Sequence, residues 1–165
     1  MNRLILIMIA ILLGACSPIP ETIRNAPTPD IQLPDVQKDF SAYQGKLVRW
    51  GGALIEVENR ETGTTLQIMA YPLNDNGHPD VTAVAQGRFI VRANEFLDPA
   101  LYTRYSEITA FGRLIDQSER HVGRKSLKLP VIELLELHLW PGYSRRSCGY
   151  APYYGNYCFG DCSSE

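Results

Sequence analysis

Three cysteines near the C-terminus, Cys148, Cys158 and Cys162, are the residues whose types and spacing first suggest chemistry. In an oxidising compartment two of the three would form a disulfide, and the sequence leaves the pairing open. A zinc site is the alternative for such a group. However, nine and three residues separate the cysteines and no histidine lies near them, a pattern typical of no known zinc motif. We therefore predict one disulfide and no metal.

The histidines and paired carboxylates offer little support for catalysis. His78, His121 and His138 are accompanied by no nucleophile elbow and no zinc-protease helix. Glu56 and Glu58 alternate with apolar residues, so both should lie on the same, solvated face of a strand. We expect neither an enzyme nor a bound cofactor.

The fourth cysteine, Cys16, lies in a different setting. Arg3 precedes an apolar run, Leu4–Leu13, which is too short to cross a bilayer. A positive charge, a short apolar run and the small residues Gly14 and Ala15 are typical of a secretory signal peptide. The sequence around Cys16 resembles the lipobox of bacterial lipoproteins. This resemblance implies that residues 1–15 are removed between Ala15 and Cys16 and that lipid is attached to Cys16.

The expected location follows from the same segment. Ser17, rather than aspartate, follows the cysteine, and resemblance to sorted lipoproteins then implies the outer membrane, with the domain facing the periplasm. The net charge of the whole chain is −2, so no strongly basic face is expected and nucleic acid is excluded as a partner. The membrane, reached through the N-terminal lipid, is the first predicted partner.

Residues 16–39 contain several prolines and few large apolar side chains, which favours an extended, semi-rigid stalk. A short helix is expected over residues 35–44, because Val36, Phe40 and Tyr43 fall on one face and Gly45 suits its C-terminus. The residues from 40 to 141 then change to a pattern of strands.

That pattern predicts a small, mainly β domain. Strands are expected at 46–59, 64–71, 87–94, 107–115 and 131–140, with a short helix at 96–105 between the third and fourth strands. This order is typical of an antiparallel OB-like β-barrel, and a β-sandwich is the alternative.

Three details of the domain bear on its closure. Gly51 and Gly52 predict a bulge or sharp bend in the first strand. Residues 116–128 are polar and are expected to form a loop. The last segment, 131–140, is expected to be a strand, with a helix as the alternative because its leucines also suit the helical period.

Residues 142–165, rich in tyrosine, glycine and cysteine, predict a loose tail or an aromatic contact surface.

Residues 47–79, 87–114 and 129–141, which follow the lipobox, together resemble the Slp family. The most specific parts of the resemblance are Arg49–Gly52 and Phe96–Pro99. The resemblance implies an outer-membrane lipoprotein associated with starvation and stationary phase. It supplies no catalytic residues, so only Cys16 takes a role from it, as the lipid attachment site. The tail departs from the family pattern.

Two functions are compatible with these features. The protein would be a tethered, non-enzymatic envelope factor that binds another envelope protein or peptidoglycan. Alternatively, it would be a small-ligand carrier with a cavity inside the barrel. Large interior side chains such as Trp50, Phe89 and Phe111 would leave little room for a ligand.

Overall fold

The computed structural model describes residues 19–141, 149–151 and 155–157, which contain two short helices and seven strands. The helices are α1 (Glu21–Arg24) and α2 (Leu33–Lys38). The strands are β1 (Leu47–Arg60), β2 (Gly63–Tyr71), β3 (Gly87–Ala93), β4 (Glu107–Val122), β5 (Lys125–Leu139), β6 (Gly149–Ala151) and β7 (Gly155–Tyr157). Neither helix is long and apolar enough to cross a bilayer, within the part of the chain described.

The first five strands form a closed barrel in the order β1-β2-β3-β5-β4. Neighbouring strands are antiparallel except β3 and β5, which run parallel and are joined by only three residue pairs, from Ile90↔Val131 to Arg92↔Glu133. This is the strand order of an OB-fold. The predicted OB-like barrel is confirmed, and the sandwich alternative is wrong because the sheet closes on itself.

Apolar side chains fill the barrel because alternate residues of each strand point inward. Trp50 and Phe89 meet edge to face inside it, with ring centroids 5.3 Å apart. The remaining fully buried strand residues include Leu54, Leu66, Ile68, Ile108, Leu114 and Ile132. Large aromatic and branched side chains thus occupy the space that a ligand would need.

Gly51 and Gly52 allow β1 to pass very close to its neighbours. A Cβ added at Gly52 would lie 1.8 Å from the carbonyl oxygen of Met69 on β2, so no side chain fits there. The pairing with β2 is continuous at both glycines, and the register shifts only between Leu54 and Glu56. The predicted irregularity in β1 is therefore present, but the bulge lies after the glycines, which serve close backbone approach instead.

The predicted loop over residues 116–128 is wrong. β4 and β5 continue through it as a long hairpin, paired from Ile108↔Leu139 to Val122↔Lys125, with Gly123 in the turn. β4 pairs with β1 only as far as Arg113, and β5 pairs with β3 only from Val131 onward, so between residues 117 and 130 the hairpin is a two-stranded ribbon with few buried positions. Its polar sequence reflects that exposure. The fifth segment is a strand, as expected, and not a helix.

The predicted helix at 96–105 is a single turn. The carbonyl oxygen of Asp98 accepts hydrogen bonds from the amides of Leu101 and Tyr102, each at 3.0 Å, and its carboxylate caps Ala100 at 2.8 Å. The chain then turns at Tyr105, whose φ is 71°, so the helix cannot continue. Leu97, just before this turn, is buried against the core.

The described part of the predicted stalk is packed onto the barrel. Ile23, Leu33 and Val36 are fully buried, and the indole Nε1 of Trp50 donates to the carbonyl oxygen of Ile31 at 2.8 Å. Helix α2 ends at Lys38, earlier than the predicted 35–44, and lies against β3 and β5. Apolar residues spaced between the prolines are enough to hold the segment down, so the stalk interpretation is wrong for residues 19–39.

Replacing Leu33 tests this packing. We expect Leu33→Ala to lower the free energy of unfolding by about 2–4 kcal/mol, because it removes a fully buried side chain. The exposed Lys38→Ala change in the same helix serves as the control and should alter it by about 0.5 kcal/mol or less. Urea unfolding measures both. Equal small effects would mean that the segment stands free of the barrel.

The close approach at Gly52 gives a second prediction. Gly52→Ala should lower the free energy of unfolding by more than about 2 kcal/mol, because its methyl group would collide with the backbone of Met69. Gly123→Asn is the matched control, since Gly123 has open space around it and asparagine tolerates its positive φ. Thermal or urea unfolding of the two variants would show the difference, and a well-tolerated Gly52→Ala would contradict the role of close approach.

Candidate binding site between the hairpins

A groove of about 550 Å³ lies between the β1–β2 hairpin and the β4–β5 hairpin. In OB-folds the loops at these two positions border the ligand-binding face. Strand pairing brings the residues together, since Thr65 on β2 lies opposite Arg92 on β3. The polar side chains that line the groove include Arg60, Thr62, Thr65, Arg92, Glu119 and Arg120.

Glu58 holds two of the three arginines in place. Its Oε1 accepts hydrogen bonds from Nη2 and Nε of Arg60 at 2.6 and 3.0 Å, and its Oε2 lies 3.5 Å from Nη2 of Arg120. The hydrogen bond from Arg60, followed by the charges of both arginines, lowers the pKa of Glu58 below its ordinary value. One carboxylate therefore positions two guanidinium groups beside the groove.

The third arginine, Arg92, is exposed and takes part in no ion pair among the described residues. Glu119, the groove's carboxylate, accepts a hydrogen bond from the hydroxyl of Ser126. With Glu58 included, three arginines outnumber the two carboxylates. The groove can accept carboxylate or phosphate groups on guanidinium donors, and threonine hydroxyls beside them can bind further polar groups.

The groove, here called the arginine groove after Arg60, Arg92 and Arg120, contains no arrangement of described residues suited to catalysis. No group of three metal-ligating side chains is found there or elsewhere in the described part of the chain. His78 and His138 both lie outside the groove, and each forms a T-shaped contact with Trp140, with ring centroids 4.5 and 4.4 Å away. Burial lowers the pKa of His138. His121 lies exposed on β4.

His78 is half-buried and paired with a carboxylate. Its Nε2 lies 3.1 Å from a carboxylate oxygen of Glu107. Beside it, the indole of Trp140 donates to the hydroxyl of Thr109 at 2.9 Å, and that hydroxyl donates to the carbonyl oxygen of Gly77 at 2.7 Å. These contacts tie the loop between β2 and β3 to the end of the barrel. They account for the histidines as structural groups.

A small polar pocket beside Arg49 has a volume of about 50 Å³, room for a few water molecules. The Arg49 side chain is largely buried, and its Nη1 donates to the carbonyl oxygens of Ile23 and Arg24 at 2.8 and 2.6 Å. Trp50 lies 4% exposed beside it. This pocket is too small for an organic ligand, so the interior gives no support to the carrier hypothesis.

Some of the residues predicted from sequence lie in the described part of the chain, and others lie outside it. Ala15, Cys16, Cys148, Cys158 and Cys162, predicted for cleavage, lipid attachment and disulfide formation, lie outside the described residues. Described tail segments β6 and β7 pair antiparallel, from Gly149↔Tyr157 to Ala151↔Gly155. Among the candidate acids, Glu56 is solvent-exposed and Glu58 belongs to the groove.

Sequence reasoning missed the three arginines, because 32 and 28 positions separate them along the chain. No motif spans such distances. A usable signal was nevertheless present: Arg60 and Arg120 lie next to the turns of two hairpins that border the same face once the OB-fold strand order is assumed.

Comparison with known proteins gives consistent relatives. The sequence profile described as "Outer membrane lipoprotein Slp family" matches residues 13–163. The chain is 30% identical over 138 residues to "Outer membrane protein Slp" of Escherichia coli (strain K12), covering 82% of this chain and 73% of that protein. It is 28% identical over 132 residues to "Uncharacterized lipoprotein YeaY" of the same organism, covering 79% and 68%.

Among solved structures, a small single-stranded DNA-binding protein from Streptomyces coelicolor is similar to 58% of this chain, with a TM-score of 0.36 and 13% identity; 94% of that protein is covered. The OB-fold assignment rests on the strand order of this chain and not on that likeness.

The ion pairs of Glu58 predict a measurable titration. In Arg60→Gln the pKa of Glu58 should rise towards the ordinary value, because the strongest hydrogen bond to its carboxylate is lost. The stabilising effect of Glu58 is present above the ordinary pKa of a glutamate and is lost as the pH falls through the lowered value. Carboxyl-detected NMR titration of both proteins checks this. An unchanged Glu58 titration would contradict the pairing.

Proposed function

Because this chain belongs to the Slp family of outer-membrane lipoproteins, we propose that it is a non-enzymatic envelope factor that binds peptidoglycan through the arginine groove. The lipid on Cys16 would hold the domain at the outer membrane, facing the periplasm. The groove would then take the wall polymer that lies within reach of that membrane. The association with starvation or stress is part of the same proposal and rests on the family resemblance.

The single observation that carries the proposal is the excess of arginine in an open groove at the OB-type binding position. Arg92 is exposed, and Arg60 and Arg120 are held beside it by one shared carboxylate. Guanidinium groups pair with the free carboxylates of stem peptides. The same face of OB-folds binds oligosaccharides in other proteins, which favours a glycan polymer over a folded protein as the partner.

Groove size and chemistry agree with a segment of polymer. A volume of about 550 Å³ lies within the range of small-ligand sites, and the groove is open rather than enclosed. Thr62 and Thr65 offer hydroxyl groups for sugar hydroxyls beside the guanidinium groups. Nothing in the described interior favours the alternative of a small-ligand carrier, because Trp50 and Phe89 fill the barrel.

Sedimentation with purified sacculi tests this function on the full lipoprotein in detergent. Arg92→Gln should weaken binding by about tenfold to a hundredfold, since one hydrogen bond between charged groups contributes about 1.5–3 kcal/mol. Added salt should weaken binding further. Arg113→Gln is the control, because it removes an equal charge from an exposed arginine that bonds to the carbonyl oxygen of Gly45, away from the groove.

Binding that is absent, or that falls equally in the two variants, would rule out the groove as a wall-binding site. A photo-crosslinker at Thr62 distinguishes the partner. Crosslinks to an envelope protein and none to muropeptides would replace peptidoglycan with a protein partner at the same groove.

A further inference from the structure

The packed N-terminal segment leaves a very short tether to the predicted lipid. Ile19 and Pro20 are half-buried, and Ile23 is fully buried. Only residues 17 and 18 separate Ile19 from Cys16. Three Cα steps span at most about 11 Å. If Cys16 carries the anchor, as the proposed function requires, the bilayer surface lies within that distance of Ile19.

A continuous set of contacts leads from this segment to an exposed patch. The backbone of Ile23 passes so close to Gly77 that an added Cβ there would lie 2.0 Å from its carbonyl oxygen. His78, next in the chain, pairs with Glu107 at 3.1 Å. Glu107 in turn borders a surface depression of about 620 Å³, which Val81, Arg104 and Tyr105 also line. The patch therefore lies at the anchored end of the molecule.

The patch has the composition of a membrane interface. Val84, on the loop that holds Gly77, is 87% exposed, and Tyr105 is 71% exposed. The guanidinium carbon of Arg104 lies 5.1 Å from the centroid of the Tyr105 ring. Exposed apolar side chains, an amphipathic aromatic ring and a cation are the groups that enter the headgroup region of anionic bilayers.

Tyr105 is held in its exposed position by the backbone. Its φ of 71° is uncommon for a residue with a side chain. The amide of Tyr105 donates to the carbonyl oxygen of Leu54 at 2.8 Å, and the amide of Leu54 donates to Ser106 at 2.9 Å. One hydrogen bond from Tyr105 and one to its neighbour Ser106 thus tie this turn to β1 and hold Tyr105 in a backbone conformation that costs free energy.

The geometry points to a second membrane contact: Val81, Val84, Arg104 and Tyr105, here called the docking patch, rest in the phospholipid headgroups of the leaflet that holds the anchor. A bilayer is the occupant, because the tether brings its surface to this end of the domain. The domain is then held at the membrane in one orientation, by lipid at Cys16 and by the docking patch beside it.

Tryptophan scanning in vesicles tests the docking patch. The native Trp50 and Trp140 are 4% and 7% exposed and give a constant background. We would reconstitute full-length lipoprotein carrying Val84→Trp into vesicles of phosphatidylethanolamine and phosphatidylglycerol that contain brominated phospholipid. Leu127→Trp is the matched control. Leu127 lies opposite Arg120 near the hairpin turn, up to about 40 Å along β4 from Glu107.

We expect brominated lipid to quench the introduced tryptophan of Val84→Trp at least about threefold more than that of Leu127→Trp, since interfacial groups lie about 5–10 Å deep. Adding Tyr105→Ser and Arg104→Gln to Val84→Trp should reduce the quenching. Equal quenching in the two tryptophan variants would overturn the docking patch. So would a blue shift of Val84→Trp emission that depends on protein concentration in detergent, because it would assign the patch to a second copy of the chain.

Failure of the anchor and failure of the patch give different results. If neither variant floats with vesicles and intact mass shows no acyl groups, both the anchored function and the docking patch are wrong. If both variants float and are quenched equally, only the docking patch is wrong. Wall binding through Arg92 is measured separately by sedimentation and is unaffected by either result.

Discussion

Close passage of β1 over β2 at Gly52 is the constraint on which the rest of the structure depends. Because no side chain separates Gly52 from the carbonyl oxygen of Met69, β1 can coil enough to pair with β2 at one end and with β4 at the other. A strand that serves two neighbours in this way closes the sheet. Closure brings the β1–β2 and β4–β5 hairpins to opposite sides of one groove. The positions of the groove's arginines therefore depend on Gly52, although Gly52 is not in contact with them.

The N-terminal segment connects this fold to the membrane. Its apolar residues Ile23, Leu33 and Val36 complete the core, and its carbonyl groups accept hydrogen bonds from Nη1 of Arg49 and from the indole of Trp50. A segment used in this way cannot also act as a spacer. With the lipid at Cys16 that we propose, the bilayer would lie near one given face of the domain, whereas a free stalk would let the domain rotate.

Much of the barrel could be predicted from sequence, because β1, β2, β3 and the first part of β4 are runs rich in apolar and β-branched residues that turn residues separate. The β4–β5 ribbon could not, since Ser118, Arg120 and Ser126 lie where neither face is fully buried and no alternation marks the strands. The packing of the N-terminal segment on the barrel was not predicted, because its prolines favoured an extended stalk. Its buried apolar residues, such as Leu33 next to Pro34, were given less weight than the prolines. The groove could be predicted only once the strand order was known, because closure of the barrel is what brings Arg60, Arg92 and Arg120 together.

The parallel contact between β3 and β5 is the shortest ladder in the ring, and helix α2 packs against both of these strands. Helix α1, with its buried Ile23, lies between α2 and Cys16, so a pull on the proposed lipid at Cys16 would reach α1 before α2. Detaching both helices would remove support from β3 and β5, and unpaired strand edges recruit other strands. The β3–β5 ladder, with three residue pairs, would then be the first part of the ring to open under such a pull.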